Sequence, residues 1–243
     1  MPRPLLGPQG LDRQLRDHVA RNTPYVGAMT AATRGSTTVA FDLFAAALDE
    51  TNKWATAVVA TGTAAAATVS NRRCLRLNCP AASDTARGRV LGQVTNPQGA
   101  SATNDVYQQL VLEFVMALGT VANIDNAQFI VGLSDDGTEI RTSNDVIGFI
   151  LASDALNTLT DSGGTETVTV VGSPPTLTSF NKYKIVVRNG AVDFYVNDVL
   201  KNTHTTNITA VLVIPFFFCF AEAATGATEC DIADLRCYFL DYV

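Results

Sequence analysis

The sequence predicts an all-β protein, a jelly-roll β-sandwich of two antiparallel sheets with a short helical arm in front of it. From about residue 36 onward, apolar residues recur with a period of two. Turn residues separate these alternating runs at short intervals, and no second helical pattern interrupts them. With 243 residues and 47% hydrophobic residues, the chain can enclose one large core, and sandwiches of this length commonly form a single domain.

One segment near the start of the chain has a helical pattern. It reads "LDRQLRDHVARN", begins at Leu11 and is ended by Pro24. Its apolar residues recur at every fourth position and form a narrow stripe, which consists of Leu11, Leu15 and Val19. One short helix with such a stripe does not form a core alone. We therefore expect an N-terminal arm, residues 1–35, that lies on the body of the protein, residues 36–243, or on a partner.

Charge is unevenly distributed between these two parts. The net charge is −6, but the arm holds five arginines and two aspartates, a net of +3, which leaves −9 on the body. An acidic body repels nucleic-acid backbones, so general DNA or RNA binding is excluded. A basic arm on an acidic body favours docking on an acidic protein surface, such as another copy of the chain, and a solvated tail is the alternative. The predicted partner contacts in the arm are Leu11, Arg13, Leu15, Arg16, Val19 and Arg21.

Alternating runs follow in the body, each bounded by turn residues. The first are "TTVAFDLF", "NKWATAVVATG" and "CLRLNC". The next, "VYQQLVLEFVMALG", places five apolar residues on one face: Leu110, Leu112, Phe114, Met116 and Leu118. "AQFIVGLSDDG" runs into an acidic turn, "DVIGFILAS" is a further strand, and "GTETVTVVGSPP" alternates Thr and Val until two prolines end it. Strands at this spacing indicate a sandwich or jelly roll.

The segment "FNKYKIVVRNGAVDFYVNDVL" predicts a β-hairpin. A two-residue turn at Asn189 and Gly190 is the type that such sequences favour. It fixes the cross-strand pairs as Arg188 with Ala191, Val187 with Val192, Ile185 with Phe194, and Tyr183 with Val196. The last three pairs are on one face, and the other face carries Lys182, Lys184, Arg188, Asp193, Tyr195 and Asn197. We interpret the hairpin as scaffold with its apolar side inward.

The run at residues 211–220 is apolar on both faces. One face carries Val211, Val213, Phe217 and Cys219, and the other carries Leu212, Ile214, Phe216, Phe218 and Phe220. A sandwich strand normally has one polar face, so we expect the outer face to be covered by the arm, a loop or a neighbouring subunit. Phe216 and Phe218 are therefore further predicted partner contacts.

Other sequence features limit the class of protein. The most hydrophobic run, "AVLVIPFFFCFA", is too short to span a bilayer and contains Pro215, and the start of the chain lacks the apolar core of a signal peptide. We therefore expect a soluble protein without a membrane partner. Five cysteines without a CxxC pair and only two histidines make a zinc site improbable. Most of the cysteines are expected to be buried and reduced, with late pairing of Cys74 and Cys79 left open.

The body, residues 37–243, resembles the concanavalin A-like lectin/glucanase superfamily in its laminin-G-like jelly-roll form. "FDLF" and Trp54 open the domain, and "LVLEFVMAL", "FIVGLSDDG" and "VIGFIL" resemble the central strands. "YKIVVRNGAVDFYVND" resembles the hairpin that ends in a Tyr-Val-Asn/Asp-Gly turn, with Asp198 in place of the usual Gly, and "LRCYFLDYV" resembles the closing strand. This fold carries lectins, hydrolases and adhesive modules alike.

The chain as a whole also resembles bacteriophage virion proteins, which place a short arm ahead of one such domain. This resemblance implies a non-enzymatic capsid decoration protein without a cofactor. It would assemble in the host cytoplasm and lie on the particle surface as a homo-oligomer, and its arm would bind the major capsid protein or another virion protein. The alternative is a lectin-like adhesin or receptor-binding tail module that binds glycan, with Tyr107 and Tyr195 as stacking surfaces.

The motif "ECDIAD", residues 229–234, is similar to the Glu-x-Asp-x-x-Glu motif of the superfamily's glucanases. The resemblance implies that Glu229 attacks, Asp231 assists and Asp234 replaces the acid/base glutamate. Asp is shorter than Glu, so the carboxylate spacing that retaining chemistry requires is in doubt. We therefore predict no catalytic residues and interpret the motif as an acidic loop before the last strand, with a glycoside hydrolase as the third hypothesis.

The segment "SDDGTEIRTSND" is rich in oxygen ligands, and its predicted calcium ligands are Asp135, Asp136, Glu139 and Asp145. Several lectins of the superfamily hold calcium in such loops. Solvated turn residues are the alternative explanation. Neither His18 nor His204 belongs to a nucleophilic triad motif, and we predict that His204 lies in a loop.

Overall fold

The computed structural model describes residues 37–42, 54–81, 84–90, 108–119, 127–135, 145–152, 155–188, 190–209, 214–221 and 228–241. The arm lies outside these ranges, so the partner contacts predicted there for Leu11, Arg13, Leu15, Arg16, Val19 and Arg21 remain predictions. Regular secondary structure within the described ranges consists of strands. None of these residues forms a helix that is long and apolar enough to cross a membrane.

The strands are β1 (Thr37–Asp42), β2 (Trp54–Val59), β3 (Thr63–Val69), β4 (Arg72–Cys79), β5 (Thr85–Val90), β6 (Gln108–Leu118), β7 (Ala127–Ser134), β8 (Val146–Ala152), β9 (Ala155–Ser162), β10 (Thr165–Val170), β11 (Asn181–Arg188), β12 (Ala191–Val196), β13 (Val199–His204), β14 (Ile214–Ala221) and β15 (Thr228–Asp241).

These strands form two antiparallel sheets, which confirms the predicted fold class. Sheet A has the order β13-β12-β11-β6-β15-β4-β3, and β1 also pairs with β15. Sheet B has the order β10-β9-β8-β7-β14-β5-β2. The two sheets pack face to face as a jelly-roll sandwich.

The core fills the space between the sheets. Both sheets contribute buried residues to one cluster, and the five apolar residues predicted on one face of β6 all belong to it. Aromatic rings form its centre: Tyr183 stacks on Phe114 at 5.4 Å and meets the Phe149 edge at 5.1 Å. Phe149 in turn meets the Phe194 ring edge-on at 5.5 Å. These contacts fix the two sheets relative to each other.

The β11–β12 hairpin has the predicted register. Arg188 lies opposite Ala191, and the apolar pairs follow as expected from there. The next turn, at Asn197 and Asp198, has positive φ at both residues, 50° and 62°, as a two-residue turn between twisted strands requires. The outer face of the hairpin is only half-buried, and it belongs to the outer face of sheet A.

The outer face of sheet B carries a second, smaller apolar cluster, formed by Ile130, Val146, Ile150 and Leu159. The register of β14 against β7 places position 218 opposite Ile130, so positions 216, 218 and 220 are on this same face. The face is therefore apolar, as the sequence pattern indicates. The side chains of Phe216 and Phe218 lie outside the described residues, and their partner contacts remain predictions.

Four strands and one histidine differ from the prediction. β3, β5, β9 and β13 were not predicted, because Ala, Gly and Asn are poor strand formers outside a packed sheet. The prediction that His204 lies in a loop is wrong. It ends β13, is buried, and contacts the Thr158 and Thr160 hydroxyls at 3.0 Å each. Burial lowers the pKa of His204, which favours the neutral ring.

Candidate functional site

Strand β15 presents acidic side chains on the outer face of sheet A. Cys230 and Ile232 belong to the core, so the alternation of the strand places Glu229 and Asp231 on the opposite face. β15 lies between β4 and β6 in the interior of the sheet. The interpretation of residues 229–234 as a loop is therefore wrong, because the motif pairs with neighbouring strands on both sides.

A β-bulge brings the third carboxylate of the motif to this face. Ala233 lies opposite Val115 and Arg236 opposite Glu113, so β15 has one extra residue between these pairs. Asp234 occupies the bulge with a φ of 51°, a left-handed conformation in which Asp is several-fold enriched. At the bulge Ala233 stays opposite Val115 and is buried, and Asp234 is the next side chain that the strand presents on this face.

Strand β4 supplies two arginines that pair with these carboxylates. Its core residues are Leu75 and Leu77, so Arg72, Cys74 and Arg76 are on the outer face. Arg76 donates two hydrogen bonds to Asp231, from Nε to Oδ1 at 2.8 Å and from Nη2 to Oδ2 at 3.0 Å. These hydrogen bonds raise the pKa of Arg76 above its ordinary value.

The three carboxylates differ in how strongly they are held. Asp231 is 1% exposed and receives both hydrogen bonds from Arg76, whereas Glu229 is 29% exposed and contacts Arg76 at 3.2 Å. Asp234 is 36% exposed and forms an ion pair with Arg72. Asp231 is therefore fixed in place, and Glu229 and Asp234 are the carboxylates within reach of a ligand.

Cys74 lies beneath this row of charges. It is fully buried, and its thiol contacts Asp231 Oδ1 at 3.6 Å. Burial, followed by the charge of Asp231, raises the pKa of Cys74 to about 12. The thiol is therefore neutral at physiological pH and cannot act as a nucleophile there. Cys79 belongs to the core on the opposite face of β4, so the two cysteines do not pair.

A cavity of about 320 Å³ borders Glu229, Asp231 and Arg76. We name it the acidic cavity. Its other walls are the β3–β4 turn, the end of β6 and the loop before β11, and they contribute Val69, Ser70, Ala117, Leu118, Gly119, Thr178, Ser179 and Phe180. The Arg72 guanidinium lies 5.3 Å from the centre of the Phe180 ring, a cation–π contact that connects β4 to this loop.

Gly119 sets the position of Glu229. Its backbone N–H donates to the Glu229 carbonyl at 2.9 Å. A Cβ atom at Gly119 would lie 2.6 Å from both Cβ and Oε2 of Glu229. The cavity wall can therefore approach the Glu229 side chain only because residue 119 has no side chain.

A second depression, of about 550 Å³, lies on the same face of sheet A. We name it the lysine depression. Strands β6, β11, β12, β13 and β15 form its floor, and its lining residues are Gln109, Val111, Lys184, Val186, Arg188, Asp193, Tyr195, Leu200, Thr203 and Tyr238. Tyr195, which the sequence marked as a stacking surface, lies here with the Lys184 Nζ atom 4.4 Å above its ring centre. Tyr107 lies outside the described residues.

The predicted calcium ligands are only partly described. Asp135 and Asp145 come together at the ends of their strands, where the Asp135 N–H donates to the Asp145 carbonyl at 3.2 Å. The Asp145 side chain accepts a hydrogen bond from the Gly163 N–H at 2.8 Å. Asp136 and Glu139 lie outside the described residues. No group of three or more His, Cys, Asp or Glu side chains within the described ranges is arranged to hold a metal ion, and the calcium site remains a prediction.

Sequence reasoning missed the arginines of β4 and the role of Gly119. Arg72 and Arg76 stand two residues on either side of Cys74, so the alternation of "RRCLRLNC" indicates that they share a face. Nothing in the sequence links that face to Asp231, which is 155 residues away from Arg76. Only the β4–β15 pairing brings them together.

Comparison with known proteins identifies the fold. No protein-family model matches the sequence, and no curated protein matches it significantly. Similar solved structures include the catalytic domain of an endo-1,3-beta-glucanase (laminarinase) from Thermotoga petrophila RKU-1, with a TM-score of 0.60, 11% identity, and coverage of 87% of this chain and 100% of that chain. Bacillus licheniformis beta-glucanase has a TM-score of 0.58, 14% identity, and coverage of 86% and 100%. The alginate lyase from Corynebacterium sp. has a TM-score of 0.52, 13% identity, and coverage of 79% and 96%.

At these identities the similarity shows the fold, which is that of the concanavalin A-like jelly-roll glycoside hydrolases and polysaccharide lyases. The prediction of a non-enzymatic capsid decoration protein is contradicted, because the similar solved structures are glucanases and alginate lyases. Three observations favoured that prediction: the basic arm, the doubly apolar strand and the lack of a complete catalytic motif in the sequence. The doubly apolar pattern of β14 has a structural explanation within the fold. The outer-face positions of this strand share their face of sheet B with a buried apolar cluster from neighbouring strands.

Proposed function

We propose that this protein is a carbohydrate-active enzyme that hydrolyses glycosidic bonds of a polysaccharide at the acidic cavity. The observation that carries the proposal is the bulge in β15, which places Glu229, Asp231 and Asp234 on one face of sheet A. The order of these residues is similar to that of the glucanase motif. Similar solved structures include two beta-glucanases, and their names supply the substrate class.

The exposure of each carboxylate suggests its role. Glu229 would attack the anomeric carbon and form a glycosyl-enzyme bond, while Asp234 would donate a proton to the departing glycosidic oxygen. Water would then release the sugar at the same carbon, with its proton returning to Asp234. Asp231 does not react in this scheme, because both of its oxygens are held by Arg76, and it positions the Arg76 guanidinium beside Glu229.

The pairing of Asp234 with Arg72 sets a requirement on the first step. A general acid must reach the oxygen that it protonates, and the Arg72 guanidinium occupies the Asp234 carboxylate. Arg72 must therefore move away from Asp234 when a substrate binds. Its second contact, with the Phe180 ring, lies in a loop that borders the cavity, so an entering sugar chain can displace both.

The proposal predicts that Glu229→Gln abolishes hydrolysis while the fold is retained. Replacing a nucleophile typically lowers kcat by at least about 1000-fold, because the covalent route is removed. The test incubates the purified protein with β-1,3- and β-1,4-glucans and with polyuronates, and it measures new reducing ends. Glu166→Gln is the matched control, since Glu166 is exposed on the far sheet.

Three outcomes are informative. Reducing ends that disappear with Glu229→Gln and persist with Glu166→Gln support the proposal. Unsaturated products that absorb in the ultraviolet would indicate a lyase instead. Binding of a polysaccharide without any new ends would reduce the assignment to carbohydrate recognition, the alternative that the sequence also indicates.

A further inference from the structure

The lysine depression lies on the same face of sheet A as the acidic cavity. Both are bordered by β6 and β15: Val111 and Tyr238 line the depression, and Ala117 and Asp231 line the cavity. Between them, Lys182 interacts with Glu113 at 3.8 Å. A polysaccharide that occupies the cavity and continues along β15 therefore reaches the depression, an inference that rests on the proposed function.

Most charges around the depression are compensated within the protein. Arg188 donates two hydrogen bonds of 2.9 Å to Asp193, and Asp193 also accepts one from the Thr203 hydroxyl at 2.7 Å. Lys182, beside the depression, forms an ion pair with Asp198 at 2.9 Å. These groups are therefore held in place and add no net charge.

Lys184 differs from these groups. Among the described residues no carboxylate lies within ion-pair distance of its ammonium group, which rests on the Tyr195 ring instead. The ring limits the motion of the lysine without neutralising its charge. Glu113 lies opposite Lys184 in the β6–β11 register but pairs with Lys182, so Lys184 is the positive charge of the described lining that no ion pair neutralises.

The remaining lining suits a sugar ring. Tyr238 keeps its hydroxyl proton at physiological pH, because burial and then the charge of Glu113 raise its pKa to about 12. Gln109 and Thr203 add further polar groups, and Val111, Val186 and Leu200 supply apolar surface. The hydroxyls of Tyr238 and Thr203 donate to Glu113 and Asp193, so their oxygens can accept hydrogen bonds from a sugar unit that packs on this apolar surface.

We propose that the lysine depression binds an acidic sugar unit of the substrate, one that carries a carboxylate or a sulfate, with the anion at Lys184. The enzyme would accordingly prefer an anionic polysaccharide to a neutral glucan. A carboxylate and a sulfate would interact with the Lys184 ammonium in the same way. Polysaccharides that carry only carboxylates or only sulfates therefore show which of the two anions the depression binds.

Calorimetric titration of the full chain tests this proposal. Glu229→Gln serves as the background, so that no substrate is consumed. The titrated ligands are polygalacturonate, a sulfated glucan and a neutral β-glucan, and the dissociation constant of each is measured at low and high salt. We expect an acidic polysaccharide to bind about 10-fold more tightly than the neutral one. We expect the double variant, which carries Lys184→Gln in the same background, to lose that difference. Arg73→Gln is the charge-matched control, because Arg73 is exposed at the start of β4 and does not line the lysine depression.

The results separate this inference from the proposed function. Tighter binding of one acidic polysaccharide that depends on Lys184 and not on Arg73 supports the inference and identifies the anion. Equal binding of acidic and neutral chains, unchanged by Lys184→Gln, overturns the inference and leaves the hydrolase proposal standing. Absence of binding to any polysaccharide overturns both.

Discussion

Gly119 shows how one missing side chain fixes the position of Glu229, the proposed nucleophile. The Glu229 Cβ atom cannot move away without moving β15, so a methyl group at residue 119 must displace the strand or the loop. We expect Gly119→Ala to lower kcat about 10-fold or more, because a misplacement of about 1 Å costs up to 100-fold. Activity assays with Gly172→Ala provide the control, since a Cβ at Gly172 meets nothing within 4 Å. Equal kcat values for the two variants would contradict the assigned position of Glu229.

Asp161 is a residue that the fold tolerates at a cost. It is 1% exposed, and the backbone N–H groups of Gly164 and Thr165 lower the pKa of its carboxyl less than burial raises it. Burial raises the pKa of Asp161, with further contributions from the charges of Glu166 and Asp145. The unfolded chain therefore loses this proton at a lower pH than the folded protein does, and the free energy of unfolding falls as pH rises between the two pKa values.

Asp161→Asn removes this pH dependence. We expect the variant to gain about 1–3 kcal/mol of stability near pH 7, because no charge is then buried, and to gain nothing near pH 3. Urea denaturation at both pH values measures the difference. A gain of the same size at pH 3 and pH 7 would show that ionisation of Asp161 is not the cause.

At the scale of the elements, the bulge in β15 determines which residue follows Asp231 on the outer face. Asp234 adopts a left-handed conformation that β-branched residues rarely enter, and the conformation costs about 1–2 kcal/mol. We therefore expect Asp234→Val to lower the free energy of unfolding by about that amount more than Asp234→Asn does, since Asn tolerates a positive φ. Equilibrium urea unfolding of both variants tests this. Equal stabilities would mean that the bulge relaxes when its residue changes.

Elements with a local signal were predictable from the sequence, and elements that depend on distant pairing were not. Asn189 and Gly190 encode the register of the β11–β12 hairpin within the hairpin itself, and the prediction was confirmed. β3 was missed because its four consecutive alanines have low strand propensity and become a strand only beside β4. The acidic motif was misread as a loop because dense Asp residues favour turns.

The same reasoning limits what could be predicted of the candidate site. Glu229, Asp231 and Asp234 were recognisable by their resemblance to the glucanase motif, and Tyr195 by its place on the outer face of the hairpin. Lys184 lies opposite Tyr195 within that hairpin, whereas the partner of the carboxylates, Arg76, is recognised only when β4 and β15 pair. A site assembled on a sheet surface therefore leaves its residues scattered along the sequence.

At the scale of the whole molecule, the buried thiols report on folding. Cys74, Cys79, Cys230 and Cys237 are each 0% exposed, and burial raises the pKa of Cys74 and Cys237 to about 12. In a Cys219→Ser background we expect none of the four to react with a thiol reagent in the native state and all four to react together in urea. Stopped-flow labelling measures this. Early reaction of one thiol would reveal a part of the sandwich that opens independently.

The position of β15 has a consequence for how the protein is made. It is the last strand in sequence, yet it lies between β6 and β4 and also pairs with β1. While a ribosome still holds these residues in its exit tunnel, sheet A is divided into three parts that cannot join, namely β13-β12-β11-β6, β4-β3 and β1. We therefore expect the sandwich to close only after residues 228–241 have left the tunnel, with the unpaired edges exposed until then to chaperones or to other nascent chains.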